Sequence, residues 1–245
     1  MKILVINSNT SDLMTEQIDI HAKMYANPGT EITSVSAASG PRSIEGEYDV
    51  ALAAVGTTER LIAHEQEYDG FVVACGCDPG LYACRELTAK PVVGIGEASM
   101  YMACLLGHKF TSMTAMWRMV PRMEKIVKKY GLWDRCASVR AAGASVLDIA
   151  NDRDALVKAF IREAKVAIEQ DGTDVICLSG AAMVEMDKKM EDALGIPVTD
   201  GVVSAVKFVE AQVAYKLRTS KQNTFAFPEK KAAVNINDVL LSVYQ

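Results

Sequence analysis

Residues 71–80 read FVVACGCDPG, and residues 175–183 read VICLSGAAM. Each stretch begins with a short apolar run and continues into a loop of small residues that precedes a candidate helix. Short apolar runs bounded by glycine are typical of strands that are buried on both faces. We therefore predict that one strand–loop–helix unit occurs twice, with a functional loop at the carboxyl end of each strand.

The same alternation of apolar runs and helical stretches continues along the whole chain. The predicted strands are 2–6, 70–74, 91–95, 109–113, 174–178 and 197–199, and the predicted helices are 12–25, 47–67, 80–87, 98–106, 121–130, 152–170 and 202–217. Strands that alternate with helices form parallel sheets. We predict an α/β fold of two pseudo-symmetric lobes, each a parallel sheet flanked by helices, with the active site in the cleft between them. The first lobe is expected to span 1–97 and 208–245, and the second 98–207.

Composition excludes several classes of protein. The 245 residues are 50% hydrophobic, and the net charge of −5 argues against a nucleic-acid or anionic-membrane partner. No apolar run approaches the roughly 18–20 residues of a membrane span, and the short apolar start at residues 1–6 does not resemble a signal peptide. The six cysteines are expected to be reduced thiols, which indicates a cytoplasmic protein.

Cys75 is the candidate reactive residue of the first loop. A cysteine at a strand end, followed by Gly-x-Asp-Pro-Gly, is expected to lie beside free N–H groups and a helix start, which would lower its pKa. The alternative is a small buried hydrophobe, and the spacing leaves both open. Cys77 could join Cys75 in a redox or metal site, but Cys-x-Cys has neither the redox nor the zinc-finger spacing, so no metal is expected.

Several further motifs together resemble one family. They are NSNTS at 7–11, PRSIEG at 41–46, ACGCDPG at 74–80, GIGEA at 94–98, DGV at 200–202 and the tail at 219–231. The chain is identified by these motifs as similar to the aspartate/glutamate/hydantoin racemase superfamily, and within it to hydantoin and allantoin racemases. The resemblance extends over the whole chain.

The resemblance implies an isomerase that needs no cofactor. In the family, two cysteines face opposite sides of a carbon next to a carbonyl, where one removes a proton and the other returns one. Cys75 falls on the position of the first cysteine. The residues expected to touch the substrate are Asn9, Ser43, Gly76, Cys77, Thr114, Arg118, Ser179 and Ala181. Asn9 and Ser43 could instead serve turns or helix caps, and Arg118 could bind a carboxylate or be an ordinary surface residue.

The sequence departs from the family pattern at the second cysteine, where it has Gly180. Cys177 is expected inside the strand and therefore cannot replace that cysteine. Three interpretations follow. The protein racemises a hydantoin- or allantoin-like molecule, with Cys77, Ser179 or a water serving the second face. Alternatively, it protonates one face only, as a single-cysteine decarboxylase, lyase or isomerase does. In the third interpretation it binds a ligand without catalysis. In each, the partner is a small molecule and the chain is expected to form a homo-oligomer.

Overall fold

Two parallel sheets form the framework of the protein. The computed structural model describes residues 1–143 and 152–244. Each sheet has four strands, in the order β2-β1-β3-β4 and β6-β5-β7-β8. The strands are β1 (Lys2–Asn7), β2 (Glu31–Ser36), β3 (Gly70–Ala74), β4 (Val92–Gly94), β5 (Phe110–Thr114), β6 (Cys136–Ala141), β7 (Val175–Leu178) and β8 (Val198–Asp200). The second sheet repeats the strand order of the first, which confirms the predicted α/β fold with two similar halves.

Helices connect the strands and cover both faces of the sheets. They are α1 (Asp12–Tyr25), α2 (Glu47–His64), α3 (Leu81–Leu87), α4 (Ile95–Leu106), α5 (Val120–Lys129), α6 (Arg153–Val166), α7 (Asp187–Leu194), α8 (Gly201–Ala214) and α9 (Asp238–Leu241). Within the described part of the chain, no helix combines the length and the apolar composition that crossing a membrane requires.

Two helices are exchanged between the sheets. α4 follows β4 of the first sheet but contacts β5, β7 and β8 of the second, whereas α8 follows β8 but contacts β3 and β4. α4 and α8 also pack against each other, so the two halves share one interface. The division into 1–97 plus 208–245 and 98–207 stays a prediction, and its boundary between 207 and 208 falls inside α8.

The edge strands β2 and β6 and the short helices α7 and α9 were not predicted. β2 reads EITSVS and β6 reads CASVRA, and most of their residues are partly exposed. These two edge strands are partly exposed and therefore lack the continuous apolar run of a buried strand, whereas the edge strands β4 and β8 are buried. The central strands β1, β3, β5 and β7, by contrast, are buried almost throughout.

Candidate active site

A cavity of about 170 Å³ lies between the loops that follow β3 and β7. An engineered cavity of similar size accommodates a benzene ring, so this one has room for one small ring. Its lining combines the ends of both sheets with the loop at 43–45 and the segment at 113–123. The lining residues are Asn9, Met14, Ser43, Ile44, Glu45, Ala74, Cys75, Gly76, Cys77, Met113, Thr114, Ala115, Met116, Met119, Met123, Ser179, Gly180, Ala181, Ala182 and Met183.

Methionine forms much of the cavity wall. The six methionines that line it are Met14, Met113, Met116, Met119, Met123 and Met183. Their side chains are apolar, polarisable and unbranched, which lets such a wall adapt to substituents of different shapes. The cavity is therefore suited to a ligand with an apolar group.

Cys75 and Cys77 form a hydrogen-bonded thiol pair on one side of the cavity. The hydrogen bond to Cys77, followed by burial, raises the pKa of Cys75 well above that of an ordinary thiol. The same bond, donated by Cys75, lowers the pKa of Cys77 to about 7 in spite of its burial. The pair therefore releases one proton near neutral pH and retains the other. The expected lowering of the Cys75 pKa was wrong, because the neighbouring thiol places the lowered value on Cys77.

Arg122 on α5 stabilises the negative charge of this pair. The positive charge of its guanidinium lowers the pKa of the Cys77 thiol. Arg122 also pairs with Glu47 at the start of α2, and Lys125 approaches the same carboxylate at 3.5 Å. A thiolate beside a guanidinium is a usual environment for a reactive cysteine. Sequence reasoning missed Arg122, which is 45 residues away from Cys77 in the chain.

Gly180 lies on the other loop of the cavity. Its backbone has φ −88° and ψ 136°, a conformation that any residue adopts. A Cβ added there would lie 3.1 Å from the terminal methyl carbon of Met183 and would meet no other side chain or backbone that closely. At Gly76, by contrast, an added Cβ would lie 2.8 Å from the carbonyl oxygen of Ser179. The Cys75 loop therefore packs closely on the Gly180 loop, with Gly76 against the backbone of Ser179 and Gly180.

The Ser179 hydroxyl is held by a hydrogen bond outside the cavity. Its Oγ lies 2.9 Å from Ser99 Oγ, and Ser99 donates to the Gly96 carbonyl oxygen at 3.0 Å. Because Ser99 has a single hydroxyl proton, Ser179 is the donor in their shared bond. This geometry leaves Ser179 without a free proton for a ligand.

Asn9 presents a hydrogen-bond donor to the cavity. Its side-chain oxygen accepts from Asn7 Nδ2 at 2.8 Å and from the Ser11 N–H at 2.9 Å, which fixes the orientation of the amide. Its Nδ2 faces the sulfur of Met14 at 3.2 Å. A thioether is a weak acceptor, so the Asn9 amide retains donor capacity for a ligand carbonyl.

The loop at 43–45 contributes polar groups to the cavity lining. Ser43 is exposed, and its hydroxyl donates to Glu45 Oε1 at 2.7 Å. Among the described residues that line the cavity, Glu45 is the only Asp, Glu, Lys or Arg. The site thus presents a carboxylate, rather than a cation, to what enters it. Thr114, at the end of β5, is buried and lines the cavity beside Ala115.

Asp78 anchors the Cys75 loop to the start of α4. Its carboxylate accepts from the N–H groups of Gly96 and Glu97 at 2.9 and 2.8 Å, and from Tyr130 Oη at 2.6 Å. An added Cβ at Gly96 would lie 2.6 Å from this carboxylate, so the close approach requires glycine. This network fixes the loop that carries both thiols.

Nine of the ten predicted site residues line the cavity. Arg118 is outside the lining: it is exposed, and its guanidinium lies against Gly46 at the start of α2. Cys177 is fully buried inside β7, as expected from its place in the apolar run. The methionine wall escaped sequence analysis, although the spacing of Met113, Met116, Met119 and Met123 is a signal that could have revealed it.

Comparison with known proteins identifies the family. The sequence profile of the Asp/Glu/Hydantoin racemase family matches residues 3–209. The chain belongs to this family.

Individual members of the racemase family match almost the whole chain. A hydantoin racemase of Pseudomonas sp. (strain NS671) is 43% identical over 235 residues, which are 96% of this chain and 94% of that protein. The structure of an allantoin racemase from Klebsiella pneumoniae is 40% identical, with a TM-score of 0.93 and coverage of 98% of both chains. Arylmalonate decarboxylase, at 17% identity and a TM-score of 0.61 over 87% of this chain and 92% of that one, shares the fold. The chain is therefore an enzyme of the isomerase class, a racemase.

Proposed function

We propose that this enzyme racemises hydantoins that carry an apolar substituent at C5, without a cofactor and with Cys75 as the acid–base group. The observation that carries the proposal is the cavity itself. Its wall is largely methionine, and its one Asp, Glu, Lys or Arg side chain among the described residues is Glu45. A neutral ring with an apolar substituent fits these surroundings, whereas a substrate with one or two carboxylates would meet a like charge.

The thiol pair supplies the base. C5 of a hydantoin is acidic because it adjoins a ring carbonyl. As the Cys75 sulfur takes the C5 proton, the proton of Cys75 passes to the Cys77 thiolate, so the pair gains one proton in total. The charge that leaves the pair develops on the carbonyl oxygen of the substrate, where a donor lowers the barrier. The Asn9 amide is the donor we propose for that oxygen.

A water at Gly180 would return a proton to the opposite face, and the hydroxide that remains is neutralised by the proton that the thiol pair releases to solvent, which restores the Cys77 thiolate. We assign Cys77 to the same face as Cys75, because in this mechanism Cys77 receives the proton of Cys75. Ser179 is engaged with Ser99. The absence of a side chain at Gly180 leaves space for a water, which donates a proton to C5 and regains one from solvent.

Preference between substrates tests the proposal. Enantiopure 5-benzylhydantoin and allantoin are incubated with the enzyme in heavy water, and optical rotation and the C5 proton signal are followed together. We expect both signals to decay, with a kcat/KM at least about tenfold higher for the benzyl compound, since burying an apolar side chain contributes roughly 1.5–3 kcal/mol. A higher kcat/KM for allantoin would contradict the proposed substrate class.

A matched pair of variants tests the role of Cys75. Cys75→Ser should abolish exchange of the C5 proton, whereas Cys104→Ser should retain it, because Cys104 is partly exposed and outside the cavity lining. Full activity of Cys75→Ser would refute the role of the thiol.

One-sided chemistry is the second candidate, and the single observation that favours it is Gly180. An enzyme with one proton-transferring side could act as a decarboxylase, a lyase or an isomerase. It would exchange the C5 proton for deuterium while optical rotation is retained. That outcome in the heavy-water experiment would replace racemisation with one-sided protonation.

A further inference from the structure

A buried cluster of one histidine and two aspartates lies outside the cavity lining. His21 comes from α1, Asp187 is the first residue of α7, and Asp200 is the last residue of β8. One potential metal-ligand atom from each residue lies within 4.8 Å of the other two. All three residues are at least nine-tenths buried, with exposed fractions of 1%, 5% and 5%.

The cluster contains polar atoms that the protein leaves unsatisfied. Nδ1 of His21 and Oδ1 of Asp187 have no hydrogen-bond partner among the described residues, and Nε2 of His21 has only the contact with Asp200. The two carboxylate oxygens of Asp200 have different contacts. Oδ1 accepts a hydrogen bond from the Val203 N–H at 2.9 Å, and Oδ2 lies 3.3 Å from His21 Nε2. Buried polar atoms without a partner are rare in folded proteins and commonly mark an unaccounted ion or water.

The groups around the cluster carry more negative than positive charge. Two carboxylates face one imidazole, and Glu185 adds a further negative charge nearby. Lys188 is the cation of α7 closest to them, but its Nζ is 4.0 Å from Asp187 Oδ2 and its side chain is mostly exposed. Buried carboxylates require a compensating cation.

We propose that His21, Asp187 and Asp200 bind a divalent transition-metal ion of the zinc class. One imidazole nitrogen and two carboxylate oxygens are ligands that such ions accept. Two ligands about 2.1 Å from a tetrahedral ion are about 3.4 Å apart, close to the 3.3 Å between His21 Nε2 and Asp200 Oδ2. A carboxylate oxygen of Asp187 lies within 4.8 Å of the other two ligand atoms, and Asp187 Oδ1 has no hydrogen-bond partner among the described residues.

The proposed ion would connect the two halves of the molecule next to the cavity. α1 packs on strands of the first sheet and also contacts the turn at Ala181–Met183, which follows Gly180. Ile18 and Ala22 of α1 share one apolar cluster with Ala181 and Val184. An ion held by α1, α7 and β8 would therefore stabilise the cavity wall opposite Cys75. This role is independent of the substrate of the enzyme.

Zinc titration tests the site. The full chain carrying Cys75→Ser and Cys77→Ser is stripped with a chelator, because the thiol pair itself could bind zinc, and is then titrated with Zn²⁺ by calorimetry and thermal unfolding. We expect one Zn²⁺ per chain and a rise in Tm. His21→Gln in the same background should weaken binding by 10–100-fold or more and remove the rise in Tm, since even the loss of a group behind a metal ligand has about that effect.

Two further variants keep the test decisive. Asp187→Asn removes the third ligand and retains the His21–Asp200 contact, so it should weaken zinc binding even if His21→Gln fails to fold. His64→Gln is the matched control, because His64 forms the exposed pair with Glu67 at 2.9 Å, and it should leave zinc binding unchanged. Absence of zinc binding in the Cys75→Ser/Cys77→Ser background would overturn the proposal, as would undiminished binding in Asp187→Asn.

The pH dependence of binding provides an independent readout. Burial lowers the pKa of His21, but Asp200, followed by Asp187 and Glu185, outweighs burial and leaves that pKa raised. A metal ion binds the neutral imidazole, so it must displace the proton that His21 carries below its pKa. Zinc affinity should therefore increase with pH until His21 is neutral, with the release of about one proton per ion. An affinity independent of pH between 5.5 and 8 would contradict binding at His21.

Discussion

Gly180→Cys should replace water with a thiol as the proton donor on the Gly180 side of the cavity. The backbone at Gly180 accepts any residue, and the nearest atom to an added Cβ is the flexible end of Met183 at 3.1 Å. Met183 needs to move by only a few tenths of an ångström, so we expect a stability cost of about 1 kcal/mol or less. A positioned thiol is a far better proton donor than water. General acid catalysis contributes about 10²–10⁴-fold, and we therefore expect kcat for racemisation to rise by roughly 10²-fold.

The assay measures the loss of optical rotation of enantiopure 5-benzylhydantoin under reducing conditions, together with deuterium incorporation at C5. Gly180→Ala is the matched control, since it adds the same Cβ against Met183 without the thiol. Circular dichroism verifies the fold of both variants, and thiol titration verifies the added sulfhydryl. If both fold and Gly180→Cys racemises no faster than Gly180→Ala, proton return from the Gly180 side is refuted.

Three other outcomes follow from the contacts of the site. The racemisation rate should fall tenfold per pH unit below about pH 7, where the Cys77 thiolate gains a proton. Arg122→Gln should shift this acidic limb of the pH–rate profile to higher pH, because Arg122 helps to lower the pKa of Cys77. Lys125→Gln is the control and should leave the profile unchanged. Tyr130→Phe removes one hydrogen bond to the buried carboxyl of Asp78, whose pKa burial raises to about 8, and should lower the free energy of unfolding by about 0.5–1.5 kcal/mol, measured by urea denaturation. Gly76→Ala would place a Cβ 2.8 Å from the carbonyl oxygen of Ser179 and should lower the free energy of unfolding by about 1–3 kcal/mol in the same assay. A variant as stable as the wild type would show that the Cys75 loop and the Gly180 loop are not in contact.

The apolar pattern predicted the central architecture. Strands buried on both faces are rich in apolar residues, so the four central strands and the edge strands β4 and β8 were visible as short runs bounded by glycine, proline or aspartate. β2 and β6 were not visible, because their partly exposed edges admit polar residues such as Glu31 and Arg140. The exchange of α4 and α8 between the sheets was equally out of reach, since helical periodicity does not reveal which sheet a helix covers.

The sequence by itself determined the α/β class, the two glycine-containing loops and the residues Cys75 and Gly180 as the positions to examine. Only the tertiary structure showed that the low pKa falls on Cys77, that Ser99 engages Ser179 and that Arg118 lies outside the cavity lining. The reason is physical. Motifs are local in the chain, whereas a pKa depends on burial and on charges brought from distant elements. The cluster of His21, Asp187 and Asp200 likewise joins residues up to 179 positions apart, which no spacing rule connects.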